Sequence, residues 1–231
     1  MKTLGLIGGM SWESSAHYYR LINEAVKAQL GGLHSARLLM YSVDFHDIEA
    51  MQRTGDWEAA GRMLADAGRR LQLAGADMLV LCTNTMHRVA PAIQAAVDLP
   101  LLHIADPTAA AIRAQGLRRI GLLGTRFTME QDFYVGRLCE HHGLEVIVPP
   151  EADRQSVHRV IYEELCLGRV LDASREAYRR IIGGLVAQGA QGVILGCTEI
   201  SMLVAEADSP VPLFDTTALH AAQAAHWAMT S

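Results

Sequence analysis

The sequence predicts an α/β protein made of two similar lobes, each built on a parallel sheet. Short apolar stretches alternate with amphipathic ones along the chain, the pattern of strands joined by crossover helices. One segment also occurs twice. Gln72-Leu73-Ala74-Gly75-Ala76-Asp77-Met78-Leu79-Val80-Leu81-Cys82-Thr83 returns as Ala187-Gln188-Gly189-Ala190-Gln191-Gly192-Val193-Ile194-Leu195-Gly196-Cys197-Thr198. Each copy reads as a helix end, a glycine turn, an apolar strand and Cys-Thr. Other pieces fall at similar offsets: Thr3-Leu4-Gly5-Leu6-Ile7-Gly8 echoes Arg119-Ile120-Gly121-Leu122-Leu123-Gly124, and Pro100-Leu101-Leu102 echoes Pro212-Leu213-Phe214. A repeat of about 110 residues is far longer than the roughly 20–50 residues of a solenoid unit, so it marks two lobes.

Taken in order, the first half reads as strand 3–8, helix 14–29, strand 36–43, helix 56–74, strand 78–82, helix 90–97, strand 101–104 and helix 107–115. The second half reads as strand 119–123, helix 130–142, strand 144–148, helices 154–166 and 171–188, strands 192–196 and 212–214, and helix 216–229. Gly116, Gly143 and Gly189 are C-terminal stops, and Asp172 or Ser174 is a candidate cap for the helix running to Gln188. No linker-like stretch separates the lobes. They are expected to join tightly near 98–101 and 205–211, giving one lobe of residues 1–98 plus 208–231 and another of 99–207. The last helix then packs back on the first lobe.

The 231 residues are 50% hydrophobic and 19% charged, the balance of a soluble globular protein. The net charge is −5 and Lys and Arg are scattered, which gives no footprint for nucleic acid. A strand begins by residue 3 with no signal-peptide pattern, and apolar runs such as Met78–Leu81 are too short to span a bilayer. A cytoplasmic protein with no membrane partner is the expectation. Cys82, Cys139, Cys166 and Cys197 form no CxxC pair and no disulfide framework, so reduced thiols are expected. No HExxH or spaced Cys/His set occurs. Cys139-Glu140-His141-His142, the nearest cluster, reads as a solvated turn, and no metal is expected.

In open α/β sheets ligands bind beyond the carboxyl ends of the strands. Those positions hold Gly8-Gly9-Met10-Ser11, Ser42-Val43-Asp44, Cys82-Thr83-Asn84-Thr85, Gly124-Thr125 and Cys197-Thr198-Glu199. All are small or polar, and each is expected to precede a helix whose free N–H groups favour an anion. The sum is a pocket for a small carboxylate with a thiol at one wall. The first loop lacks GxGxxG spacing, which argues against a nucleotide. Cys197 has a plain alternative as a packed core thiol. At a strand end beside helix N-termini its acidity rises, and such a thiol can serve as acid or base on a substrate carbon.

Gly8-Gly9-Met10-Ser11-Trp12-Glu13-Ser14, Asn84-Thr85-Met86-His87 and Gly196-Cys197-Thr198-Glu199 together resemble the aspartate/glutamate racemase superfamily. The resemblance runs over essentially the whole chain, through Ser42-Val43-Asp44-Phe45, Thr128-Met129-Glu130-Gln131-Asp132-Phe133-Tyr134 and Glu163-Glu164-Leu165-Cys166-Leu167-Gly168. It implies two pseudo-symmetric Rossmann-like α/β/α lobes with the active site in the cleft between them. It also implies an amino acid racemase without pyridoxal or any other cofactor, assembled as a homodimer. Each lobe presents one residue to one face of the substrate Cα, and one removes the proton that the other returns.

One departure stands out. The family's first-lobe motif is Cys-Asn-Thr, but here Thr83 precedes Asn84-Thr85 and the cysteine lies one position earlier, at Cys82. A one-residue shift along a strand turns a side chain to the opposite face. The internal repeat pairs Cys82 with Cys197. The Asn-Thr-x-His tail, which anchors substrate in the family, pairs Thr83 with Cys197 and is the preferred register. A hydroxyl is a poor base at neutral pH, so the expected enzyme is slow or direction-biased, with Cys197 indispensable. By the same resemblance Cys197 works on the L-enantiomer.

The resemblance places the substrate carboxylate on Asn84, Thr85, Thr125 and Thr198, with Met10 and Ser11 as a further wall. Glu199 is expected to hold Thr198 or the amino group. Gln52 stands where acidic-substrate members carry a basic residue, with a solvated helix position as its plain alternative. A second such place reads Tyr162-Glu163-Glu164. That leaves room beyond aspartate and glutamate, for homoserine or methionine. Trp12 and Trp57 are expected in the core or a dimer interface. Rival readings are a relative acting as maleate isomerase, hydantoin racemase or arylmalonate decarboxylase, and a degenerate site that only binds or senses an amino acid.

Overall fold

Two four-stranded parallel sheets organise the chain, and their strand orders match. In the computed structural model, which describes residues 1–230, the first sheet contains β1 (Thr3–Gly8), β2 (Arg37–Ser42), β3 (Met78–Leu81) and β4 (Leu101–Leu102) in the order β2-β1-β3-β4. The second contains β5 (Arg119–Gly124), β6 (Glu145–Ile147), β7 (Val193–Gly196) and β8 (Leu213–Asp215) in the order β6-β5-β7-β8. The helices are α1 (Trp12–Leu30), α2 (Phe45–Thr54), α3 (Trp57–Leu73), α4 (Ala90–Gln94), α5 (Ala105–Ala114), α6 (Arg126–Glu130), α7 (Asp132–His142), α8 (Glu151–Glu163), α9 (Asp172–Ala187), α10 (Ile200–Leu203) and α11 (Thr216–Thr230). Among the described residues no helix is long and apolar enough to cross a membrane.

The chain divides into two units, Met1–Ile104 with the residues from His220 on, and Ala105–Leu219. The crossings come later than the expected 98/99 and 207/208 because each lobe keeps its own last strand. The Leu79 N–H donates to the Pro100 carbonyl (2.9 Å) and the Val193 N–H to the Pro212 carbonyl (2.9 Å). These bonds start the pairings β3–β4 and β7–β8, so 101–102 belong to the first sheet and 213–215 to the second. The second crossing falls inside α11.

Side-chain alternation along β3 separates the first unit's core into two clusters. Leu79 and Leu81 pack with Ile7 against Leu64, Ala67 and Leu71 of α3. Met78, Val80 and Cys82 pack with Leu4 and Leu6 against Tyr18 and Ile22 of α1 and Ala221, Ala224 and Ala228 of α11. The Met1–Lys2 end is tied to the same helix, through Lys2 N–H to the Ala228 carbonyl (2.9 Å) and the Lys2 ammonium 4.6 Å from the Trp227 ring centre.

Several local features depart from the sequence reading. α2 and α6 are helices that the hydrophobic pattern does not predict. Asp44 starts α2 by accepting the His46 N–H (3.0 Å), and left-handed Gly55 ends it. α9 begins at Asp172 without a side-chain cap. Ser174 turns instead to the Glu164 carboxylate (2.5 Å), because that buried acid needs a donor. Trp12 is 69% exposed and takes no part in the core, while the Arg88 guanidinium lies over Trp57, 4.1 Å from its ring centre.

Gly9 shows why the first loop needs glycine. Its φ is +92°, and a Cβ there would sit 2.1 Å from the Val43 carbonyl oxygen. The Val43 N–H is itself held by the Gly8 carbonyl (3.0 Å), so the neighbour cannot withdraw. Gly9→Ala combines left-handed strain with a backbone clash. It is expected to cost at least ~2 kcal/mol, read as a lower urea midpoint with an unchanged slope.

Candidate active site

Each lobe carries a cluster of candidate site residues at the end of its third strand, a half-site in the expected arrangement. Backbone register decides which residues correspond. On β1, Gly5 pairs with Leu79 and Ile7 with Leu81. On β5, the equivalent Gly121 pairs with Val193 and Leu123 with Leu195. Leu81 therefore matches Leu195, Cys82 matches Gly196, and Thr83 matches Cys197. Independent bonds give the same answer. Asp77 N–H donates to the Thr3 carbonyl (2.8 Å) as Gln191 N–H does to the Arg119 carbonyl (2.8 Å). The Asp77 carboxylate takes the Thr3 N–H (2.7 Å) as the Gln191 side-chain oxygen takes the Arg119 N–H (3.0 Å). Ala76 N–H to the Leu71 carbonyl matches Ala190 N–H to the Leu185 carbonyl. Cys82 lies in the core cluster with no exposed surface, where burial pushes its thiol far above the usual range.

The first half-site is a loop fixed by short hydroxyl bonds. Gly9 N–H donates to Ser15 Oγ (2.8 Å), Ser15 Oγ donates to the Ser11 carbonyl (2.9 Å), and Ser11 Oγ accepts the Ser14 N–H (3.3 Å), capping α1. Ser14 Oγ donates to the Cys82 carbonyl (3.2 Å), tying this loop to the end of β3. Met10 packs in the core cluster with Leu81 and Met86, and Gln52 is buried, its amide directed at Met86 Sδ (3.0 Å). Gln52 is therefore not a solvated helix residue. Thr83, Asn84 and Thr85 are all buried, and Thr85 opens a short 3-10 turn to Val89. The helix expected directly after this strand is thus replaced by a 3-10 turn, whereas after β5 and β7 it is present but short, as α6 and α10.

The second half-site holds the thiol. Cys197 Sγ donates to Glu199 Oε2 (3.0 Å), and Thr198 Oγ1 donates to the same oxygen (2.5 Å). Glu199 therefore grips the thiol as well as Thr198, a contact the sequence reading did not assign. The Cys197 thiol is pushed well above its ordinary pKa, first by burial and then by the Glu199 charge, while the Glu199 backbone N–H works the other way. Thr125 caps α6 by accepting the Thr128 N–H (3.3 Å). Tyr178, whose hydroxyl donates to the Val157 carbonyl (3.2 Å), is raised well above 10 by burial and by the charges of Cys197 and Glu164. Glu164 and Glu199 are the buried charged side chains among the described residues; no lysine or arginine is buried there. Tyr178 and Cys166 were missed as neighbours of the thiol, and Glu164 as a neighbour of Tyr178. The acidic Glu163-Glu164 step was the available signal. His142, from the Cys-Glu-His-His cluster, joins Arg137 on the Asp106 carboxylate (2.9 Å), and among the described residues no three His, Cys, Asp or Glu side chains are grouped to hold a metal.

The profile of the Asp/Glu/hydantoin racemases matches residues 7–224. A candidate Asp/Glu racemase from Yersinia pestis is 62% identical, with both chains covered in full and a TM-score of 0.93. An aspartate racemase homologue from Pyrococcus horikoshii OT3 is 34% identical over 99% of each chain, with a TM-score of 0.85. The broad specificity amino-acid racemase RacX of Bacillus subtilis (strain 168) is 22% identical over 93% of each chain. The chain belongs to the Asp/Glu/hydantoin racemase family. Within it, the chain is an amino acid racemase, an isomerase.

Proposed function

We propose that the protein interconverts L- and D-amino acids without pyridoxal phosphate, with Cys197 as the main acid/base and Thr83 working on the opposite face of Cα. The equivalent positions of Thr83 and Cys197 at the ends of β3 and β7 carry this reading. The Cys197 proton passes to Glu199, which already accepts its S–H bond. The resulting thiolate takes the Cα proton, the carbanion receives a proton on its other face from the Thr83 hydroxyl or a water behind it, and the proton left on Glu199 returns through solvent to the group that gave one up. Asn84, Thr85, Thr125 and Thr198 hold the substrate carboxylate, and Met10, Ser11 and Gln52 line the side-chain end.

The substrate range is broad, with neutral side chains such as homoserine and methionine alongside aspartate and glutamate. The buried Glu199 carboxylate on the thiol, a second buried carboxylate at Glu164 in the same lobe and an uncharged amide at Gln52 support this, because a distal carboxylate finds no buried cation there. The test is proton NMR in D₂O with a panel of L- and D-amino acids. Cα–H exchange accompanied by formation of the other enantiomer supports racemisation. Binding without exchange of any member sinks it.

Glu199→Gln separates the two effects of the carboxylate. It removes the charge that holds the proton on Cys197, so thiolate absorbance should rise at lower pH than in the wild type. It also removes the proton acceptor, so turnover should fall about tenfold or more. A thiol titration that does not move would contradict the contact's role.

A further inference from the structure

His87 makes two hydrogen bonds that fix its tautomer. The Ile104 N–H donates to Nε2 (3.2 Å), so Nε2 is the acceptor, and Nδ1–H then donates to the Thr83 carbonyl (2.7 Å). The ring is 1% exposed and packs 4.5 Å from the His103 ring centre and 5.9 Å from that of His220. His220 is fixed in turn, with Nε2–H donating to the Leu102 carbonyl (3.0 Å) and Nδ1 accepting from Tyr18 Oη (2.8 Å). This is a built, fully bonded support.

What it supports is Thr83. The carbonyl before it, on Cys82, takes the Ser14 hydroxyl, and its own carbonyl takes His87. The Thr83 N–H donates to the Leu81 carbonyl (2.9 Å) and the Cys82 N–H to the Ile7 carbonyl (2.9 Å). Every peptide group beside Thr83 is therefore pinned, although the residue lies past the end of β3 where ladder bonds stop. The other end of the imidazole is anchored on Ile104, the last residue before the chain enters the second unit. In the second half-site the thiol is gripped through its side chain by Glu199; in the first, the hydroxyl is held through its backbone.

We infer that His87, whose two ring nitrogens are taken by backbone groups, does not anchor substrate as its place in the Asn-Thr-x-His tail suggests but is the positioning residue for Thr83, setting proton delivery on the Thr83 face of Cα. The inference rests on the racemase reading above. Misplacing a reacting group by about 1 Å can cost on the order of a hundredfold in rate, so loss of the brace should act on one face only.

Two substitutions divide the ring's two bonds. His87→Asn keeps an amide N–H at the Nδ1 position and can still hold the Thr83 carbonyl. His87→Gln reaches the Nε2 position and can accept the Ile104 N–H, but leaves the Thr83 carbonyl without its donor. With L-substrate in D₂O, two rates are measured: Cα–H washout with retention, which needs only Cys197, and conversion to the D-enantiomer, which needs the Thr83 face as well. In His87→Gln, conversion is expected to fall about tenfold or more, with washout within about threefold of the wild type. In His87→Asn both rates stay within about threefold of the wild type. Equal losses of washout and conversion in His87→Gln, or the same loss of conversion in His87→Asn, would overturn the positioning role. A wild type without washout or conversion defeats the racemase reading itself, a different result.

Discussion

Cys197→Ser is expected to abolish Cα–H washout from the enantiomer whose proton faces the thiol, by about a thousandfold, while leaving the fold intact. The substitution changes one atom. Serine keeps the donor to Glu199 Oε2 and the small volume at the end of β7, so the Thr198–Glu199 bond and the short α10 turn persist. Proton affinity is what changes. The wild-type thiol is already held well above its usual pKa by burial and by Glu199, and in the proposed mechanism the thiolate forms as Glu199 receives the proton. A hydroxyl in the same place is several units less acidic again and yields no useful base. Urea midpoints of the two proteins should agree within about 1 kcal/mol of stability, which ties any rate loss to chemistry. Persistent washout in Cys197→Ser would fall as a contradiction on the assignment of the base, and Glu199 acting directly on Cα would then be the next reading.

Much of this architecture was legible in the sequence, since hydrophobic alternation and the two Gly-Ala-polar-apolar passages reveal two matching sheets. The correspondence of the two strand-end positions, Thr83 and Cys197, was harder to see. Aligning Cys82 with Cys197 matches the two Cys-Thr pairs but places Gly75 opposite Ala190. Aligning Gly75 with Gly189, both at φ +94°, matches the turn that feeds each strand and puts Thr83 opposite Cys197. The turn glycine is fixed by backbone geometry, whereas a cysteine can face either side of a strand. The Asn84-Thr85 tail pointed to the same register. The grip of Glu199 on the thiol and the brace of His87 on Thr83 were not legible, because each depends on a tight turn after the strand where a helix was expected. α2 escaped because its apolar positions, Phe45, Ile48 and Met51, occupy few turns. Its capping Asp44 and its terminal Gly55 were the signals available.

Thr83→Cys should speed conversion between enantiomers roughly ten- to a hundredfold, with a smaller change in washout on the Cys197 face. The physical case rests on inequality between the half-sites. Cys197 has a thiol and a carboxylate to take its proton; Thr83 has a hydroxyl several units less acidic than a thiol. In the proposed mechanism conversion is therefore limited by the Thr83 face. The substitution restores two thiols at register-equivalent strand ends, and the backbone that receives it is already pinned by Leu81, His87 and the Ser14 contact to Cys82. Cys82 cannot supply this function in the wild type, since it points into the cluster of Leu4, Leu6 and Tyr18 and burial holds its proton firmly. The ratio of conversion to washout in D₂O reads the effect directly and does not depend on how much enzyme is folded. If that ratio is unchanged in Thr83→Cys, proton return on this face is not controlled by the acidity of residue 83. A water held by Asn84 or Thr85 would then be the donor, and the two half-sites would differ in mechanism as well as in residue.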